Sequence, residues 1–196
     1  MPLAGPVLGS LITAQFSAVG FTGTKQLTLA MAIGNGVITN ILATNIYQGN
    51  SIGIGTGVGV GTGTISGITG ILTGALIYGY MLQNGLTGTQ GLNMSNAIGN
   101  AFATHIATGI VTSSSTPVAS GTGIGFIKGV IGLGLSASIF GFMSASSFTG
   151  TKTIDLANSI GNGIADALAL GTVNTKIVGA GYPPTPLSGI DIGKML

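Results

Sequence analysis

The chain has 196 residues, enough for one large or two small domains, yet five Lys and three Asp are its only charged residues. That is 4% of the chain, against roughly 25% in ordinary soluble domains, while 45% is hydrophobic and 37 residues are glycine. So few charges cannot coat a soluble surface, and a net charge of +2 spread this thinly makes no basic patch, so direct nucleic-acid binding is not expected. With no Cys there is neither a disulfide nor a thiolate metal site.

From the N-terminus, MPLAGPVLGSLITAQFSAVG is apolar with no basic residue before Lys25, so it reads as mature sequence rather than a secretory leader. It predicts a first helix, A, over about 3–19. Thr22-Gly23-Thr24 follows as a tight turn, in which Gly23 can end one helix and Thr24 can cap the next. A more polar helix B is expected over about 25–46, where Leu27, Met31, Gly34, Ile38 and Ile41 fall on one stripe. Two helices joined this tightly form an αα-hairpin.

Next comes SIGIGTGVGVGTGT, residues 51–64, with glycine at Gly53, Gly55, Gly57, Gly59, Gly61 and Gly63. In an extended strand all six fall on one face, which is left bare. Each costs roughly 0.5–1 kcal/mol relative to alanine, so close approach by another backbone has to return that cost. The expectation is that this face lies flat against another element or a neighbouring subunit.

The unit then repeats. FTGTKQLTLAMAIGNGV from Phe21, LTGTQGLNMSNAIGNAF from Leu86 and FTGTKTIDLANSIGNGI from Phe148 align without gaps, at spacings of 65 and 62 residues. Phe16, Met81 and Met143 each stand five residues before the Phe or Leu that opens the motif. Helix A is therefore expected again over about 65–83 and 126–145, and helix B over about 90–109 and 152–170. ASGTGIGF, with Gly121 and Gly123, repeats the alternating connector, and LSGIDIGKML looks like one more lead-in without its hairpin. The predicted fold is mainly α: three tandem αα-hairpin repeats joined by Gly-rich extended or β connectors. Repeat 1 covers 1–65, repeat 2 66–127, repeat 3 128–178, and an extended Pro/Gly-rich tail 179–196.

Catalytic chemistry finds no foothold. Neither a P-loop nor a strand-bounded G-x-G-x-x-G occurs, since strict alternation lacks the x-x-G step. His105 matches Asn40 and Ala167 in the other copies, so the repeat does not require imidazole there and a packing role is expected. Asp155 and Asp166 share a helix face but stand about 16 Å apart at 1.5 Å per residue, beyond glycosidase spacing. Ser113 to Ser115 have no His–Asp pair to activate them. No enzyme activity, cofactor or metal is expected. The asparagines of the I-G-N motif, Asn35, Asn100 and Asn162, are read as hydrogen-bonding within or between hairpins, as a buried amide fixes register.

Low charge with high apolarity suits either a bilayer or an assembly that covers most of the surface. For the bilayer speaks ISGITGILTGALIYGYML, about 18 uncharged residues. Against it stand the absence of Lys or Arg between Lys25 and Lys128, and glycine-alternating segments unsuited to lipid as open strands. The tandem hairpins with T-G-T turns, I-G-N helices, G-x-G connectors and a Gly-Tyr-Pro-Pro…Gly-Lys-Met-Leu finish resemble small virion structural proteins of large tailed bacteriophages. The resemblance spans Pro2 to Leu196, rests on compositional motifs and transfers no catalytic residue. It implies a non-enzymatic component of capsid, neck or tail that packs against copies of itself and other virion proteins, with strands that pair with neighbours. The alternative is a small integral membrane protein, holin-like or channel-forming.

Overall fold

The computed structural model describes residues 4–44, 46–54, 59–115, 120–180 and 186–195. In chain order the elements are α1 (Gly5–Ala18), α2 (Thr24–Thr44), β1 (Ile46–Ile54), β2 (Gly59–Ser66), α3 (Gly70–Gln83), α4 (Thr89–Thr108), β3 (Ile110–Ser115), β4 (Ser120–Lys128), α5 (Gly132–Ala145), α6 (Thr151–Leu170), β5 (Thr172–Ala180) and β6 (Pro186–Met195). The protein is mainly helical, with three αα-hairpins linked by β-hairpins.

Both layers close on themselves. Each helix packs against two others, in the cyclic order α1, α2, α3, α4, α5, α6 and back to α1. The strands form a closed antiparallel barrel in the order β1-β2-β3-β4-β5-β6, with β6 returning to β1. One pairing register recurs three times: Val111 opposite Gly63, Val173 opposite Gly125 and Tyr47 opposite Gly193. Thus β6 takes the place beside β1 that β2 takes beside β3 and β4 beside β5. The segment expected to be an extended tail is the strand that closes the barrel, and the molecule has an approximate threefold axis within a single chain.

Helix A begins later than expected in copies two and three, at Gly70 and Gly132 rather than near 65 and 126. The intervening residues complete β2 and β4, and Gly67 (φ +90°) and Gly129 (φ +88°) then turn the chain from barrel to helix. The apolar character of these strand ends gives no signal of that switch. Ile65, Ile127, Val111 and Val173, at the barrel end nearest the helices, are buried in the same core as Leu8, Ile12, Ile33, Ile98, Phe102, Ile139 and Ile160.

The hairpin turn also differs from its expected form. Helix A ends close to its expected bounds, at Ala18, Gln83 and Ala145. What differs is the stop itself, a Schellman motif whose positive-φ residue is Gly20, Gly85 or Ser147, three residues before the T-G-T glycine. In each copy the next residue's N–H donates back to Phe16, Met81 or Met143 (Phe21 to Phe16 3.0 Å, Leu86 to Met81 2.9 Å, Phe148 to Met143 3.0 Å). The five-residue spacing seen in the sequence is this motif with its apolar contact. In copy one that contact is an edge-on ring pair, with centroids 5.6 Å apart. Gly88 and Gly150, at φ +111° and +107°, are the N-caps of α4 and α6, so the following threonines are the first helical residues and not side-chain caps.

Ser147 is the only described non-glycine residue with positive φ, at 67°. An L side chain there costs about 1–2 kcal/mol, partly offset in the unfolded state by the greater freedom of glycine. Ser147→Gly is therefore expected to stabilise the protein by about 0.5–1 kcal/mol, and Gly85→Ser to destabilise it similarly. Thermal melts of the two variants check both signs.

Candidate functional site

Helix B carries the contacts that hold the ring. Gly34 and Gly99 lie against the backbone of Gly5–Gly9 and Gly70–Gly74, and Gly161 against Ser136, so this position faces helix A of the same hairpin. Two residues on, Gly36 faces the next hairpin: a Cβ there would stand 2.6 Å from the Ile77 backbone. Gly163 does the same toward Ile12 of α1, at 3.0 Å. Two residues turn an α-helix through roughly 200°, so the G-N-G triplet sets its two glycines on opposite flanks. In copy two the second glycine is Ala101, which is buried.

The asparagine between them lies over the first glycine of helix A. A Cβ on Gly5, Gly70 or Gly132 would fall against Oδ1 of Asn35, Asn100 or Asn162 respectively. Asn35 and Asn162 are half-buried and Asn100 is exposed, so none is a buried amide. No side-chain hydrogen bond from any of the three to a described residue is present. Their place is a steric one, filling the space that the helix A glycine leaves.

The junctions between hairpins carry different polar pairs. At α2–α3, Asn40 Nδ2 donates to Thr73 Oγ1 (2.5 Å), and Thr39 Oγ1 meets Tyr80 OH at 3.2 Å. At α4–α5, His105 Nε2 meets Ser138 Oγ at 2.8 Å, which gives the lone histidine a packing partner. At α6–α1, Gln15 Nε2 donates to Asp166 Oδ2 (3.3 Å), while Ala167, equivalent to Asn40 and His105, is simply buried. Sequence reading recognised the aligned positions, but the differing partners lie on the next hairpin and give no local signal.

The described glycines proposed for interaction lie on one face of their strands. Gly59, Gly61 and Gly63 share a strand face with buried Ile65, and Gly121 and Gly123 share one with buried Gly125 and Ile127. Gly53 lies on the matching face of β1, where Gly49 pairs with Gly63. Gly55 and Gly57 lie outside the described residues. The bare side thus lines the inside of a six-stranded barrel. Eight strands leave an interior that ordinary side chains just fill, so six leave less room, and a glycine opposite a larger residue, as Gly63 opposite Val111 and Gly125 opposite Val173, relieves the crowding. On the outer face Ile110, Ile124 and Phe126 are exposed. The sequence leaves open whether these segments pair within the chain or with a neighbouring subunit. In the structure their edges are taken by each other.

At the turn end, away from the barrel, the three hairpins surround a cavity of about 650 Å³. It is lined by the equivalent residues Leu29, Met94 and Leu156, with Phe16, Met81 and Leu86, and its rim includes Thr22, Lys25 and Thr87. Among the described residues no group of His, Cys, Asp or Glu gathers to hold a metal. No protein-family model, curated protein or solved structure matches this chain.

Gly36 and Gly79 separate close packing from helix propensity. Nothing lies within 4 Å of a Cβ at Gly79, whereas Gly36 meets Ile77 backbone atoms at 2.6 Å. Gly79→Ala is expected to gain about 0.5–1 kcal/mol, and Gly36→Ala to lose about 1–3 kcal/mol by forcing α2 and α3 apart. Denaturant unfolding of both variants gives the comparison.

Proposed function

We propose that this protein is a non-enzymatic structural component of a tailed-phage virion, in capsid, neck or tail, acting by side-chain packing against copies of itself and other virion proteins. The observation that carries the reading is an uncharged, apolar surface arranged in threes. Leu27, Leu92 and Ile154 are equivalent in the repeat and are 47%, 38% and 45% exposed. Ile71 and Leu133, equivalent positions in the first turn of helix A, are 83% and 76% exposed. Between them the outward positions of helix A are small: Ser10, Ala75 and Ala137, then Ala14 and Gly141. Such a surface favours close lateral packing over hydration. A molecule with an internal threefold axis suits a site of threefold or sixfold environment in a symmetric particle.

The membrane reading draws on α2, where Thr24–Ala43 is 20 residues long with a mean hydropathy of 1.3. Half of its hydrophobic window is buried inside the molecule, as in a core helix. Mass spectrometry of purified particles beside a carbonate-washed membrane fraction decides between the readings: enrichment in particles is expected, and retention in washed membranes contradicts the proposal.

The assemblies are expected to resist salt, because apolar burial is barely touched by screening while the Debye length falls from about 10 Å at 0.1 M to 3 Å at 1 M. Sedimentation of the purified assembly across that range checks it. Dissociation at high salt would show that the few lysines and aspartates hold the contacts.

A further inference from the structure

We propose that the turn-end cavity is a binding site for an amphiphile with an anionic head, such as a long-chain carboxylate, with its tail among Leu29, Met81, Met94 and Leu156 and its head at Lys25. The inference stands on the cavity and goes beyond the virion reading. A volume of about 650 Å³ lies in the range of roughly 300–1,000 Å³ that small-molecule sites occupy. Its wall is aliphatic, thioether and aromatic, drawn from all three hairpins, and accepts a flexible apolar chain.

The head-group preference follows from a broken symmetry. Lys25 on α2 and Lys152 on α6 are equivalent, and each stands where helix B meets the end of the next helix A. Lys152 is fully engaged. It pairs with Asp155 Oδ2 at 3.3 Å, donates to the Val19 carbonyl at 3.3 Å and lies 5.3 Å above the Phe21 ring centre. At Lys25 the acidic and aromatic partners are missing. Thr28 replaces Asp155 and Leu86 replaces Phe21, and Lys25 has no ion pair or hydrogen bond with a described residue. In copy two the position is Gln90, with no charge. The one junction with a disengaged cation is the one where that cation edges the cavity. Lys25 also sits in the first turn of the 21-residue α2, whose positive dipole end adds to the attraction for an anion. A tail in the apolar wall and a carboxylate at this rim satisfy both features at once.

The test is isothermal titration of the purified protein with dodecanoate, dodecanol and dodecyltrimethylammonium, each below its micellar concentration. One dodecanoate per chain is expected, bound more tightly than dodecanol and much more tightly than the cation. Lys25→Gln should weaken dodecanoate by roughly fivefold, the upper range of an exposed ion pair, and leave dodecanol unchanged. Lys152→Gln should alter neither. Leu29→Trp sets an indole into the apolar wall and should weaken binding of both dodecanoate and dodecanol. If it fails to fold, Thr22→Trp on the exposed rim blocks the mouth in its place. Absence of dodecanoate binding, an affinity order indifferent to Lys25→Gln, or undiminished binding by the folded tryptophan variant would each overturn the proposal.

Discussion

The structure depends on backbone-to-backbone approach at helix B. A ring of six helices requires each B helix to be held on two flanks, by its own hairpin partner and by the first helix of the next hairpin. In copies one and three a pair of glycines two residues apart, and in copy two Gly99 with buried Ala101, meets that need, since the two positions point to opposite sides of the helix. Gly34 over Gly5–Gly9 and Gly36 over Ile77 thus do in one turn of helix what two separate stripes would otherwise supply. Dispersion over such close backbones offsets the entropy that glycine loses in a helix, and the Asn between them covers the notch opened in helix A. From the ring, the barrel follows. Each B helix hands its chain to a strand and each A helix receives one, so a closed set of hairpins places six strand ends on a circle.

Closure also decides the chemistry of the barrel wall. Six strands around an axis leave a narrow lumen, and glycines on the inward face, paired with larger residues such as Val111 and Val173 on the neighbouring strands, make room for the strands to close. The outward face exposes Ile110, Ile124 and Phe126. A closed barrel has no free edge, so association with other molecules has to use faces and not strand pairing.

Much of this was legible in the sequence. Hairpin number, repeat register and the alternation of the connectors come from gapless self-similarity at Phe21, Leu86 and Phe148, which is a one-dimensional signal. What was not legible is closure, because the pairing of β6 with β1 joins residues about 140 apart with no motif to announce it. The alternating glycines specify flat contact but not its partner, so a neighbouring subunit and a barrel interior look the same in sequence. The C-terminal ends of the A helices were legible to within a residue, but not the residue that makes the stop, because Gly20 and Gly23 both suit a positive φ and in copy three a serine takes the first of these places. The cavity was invisible for a related reason. It forms where the three hairpin ends meet, and the difference that marks its rim, Lys25 without the acidic and aromatic partners of Lys152, matters only once the hairpins are set side by side.

The account's central claim is that the first and last hairpins of one chain meet and close the ring. Gln15 on α1 and Asp166 on α6, 151 residues apart in sequence, touch across that junction. The chain has no cysteine, so Gln15→Cys/Asp166→Cys introduces its only thiols. Intact-mass analysis after treatment with a short bismaleimide measures closure directly. A quantitative crosslink within single chains at high dilution is the predicted result, whereas crosslinks only between chains, or two independently capped thiols, would contradict the closed ring.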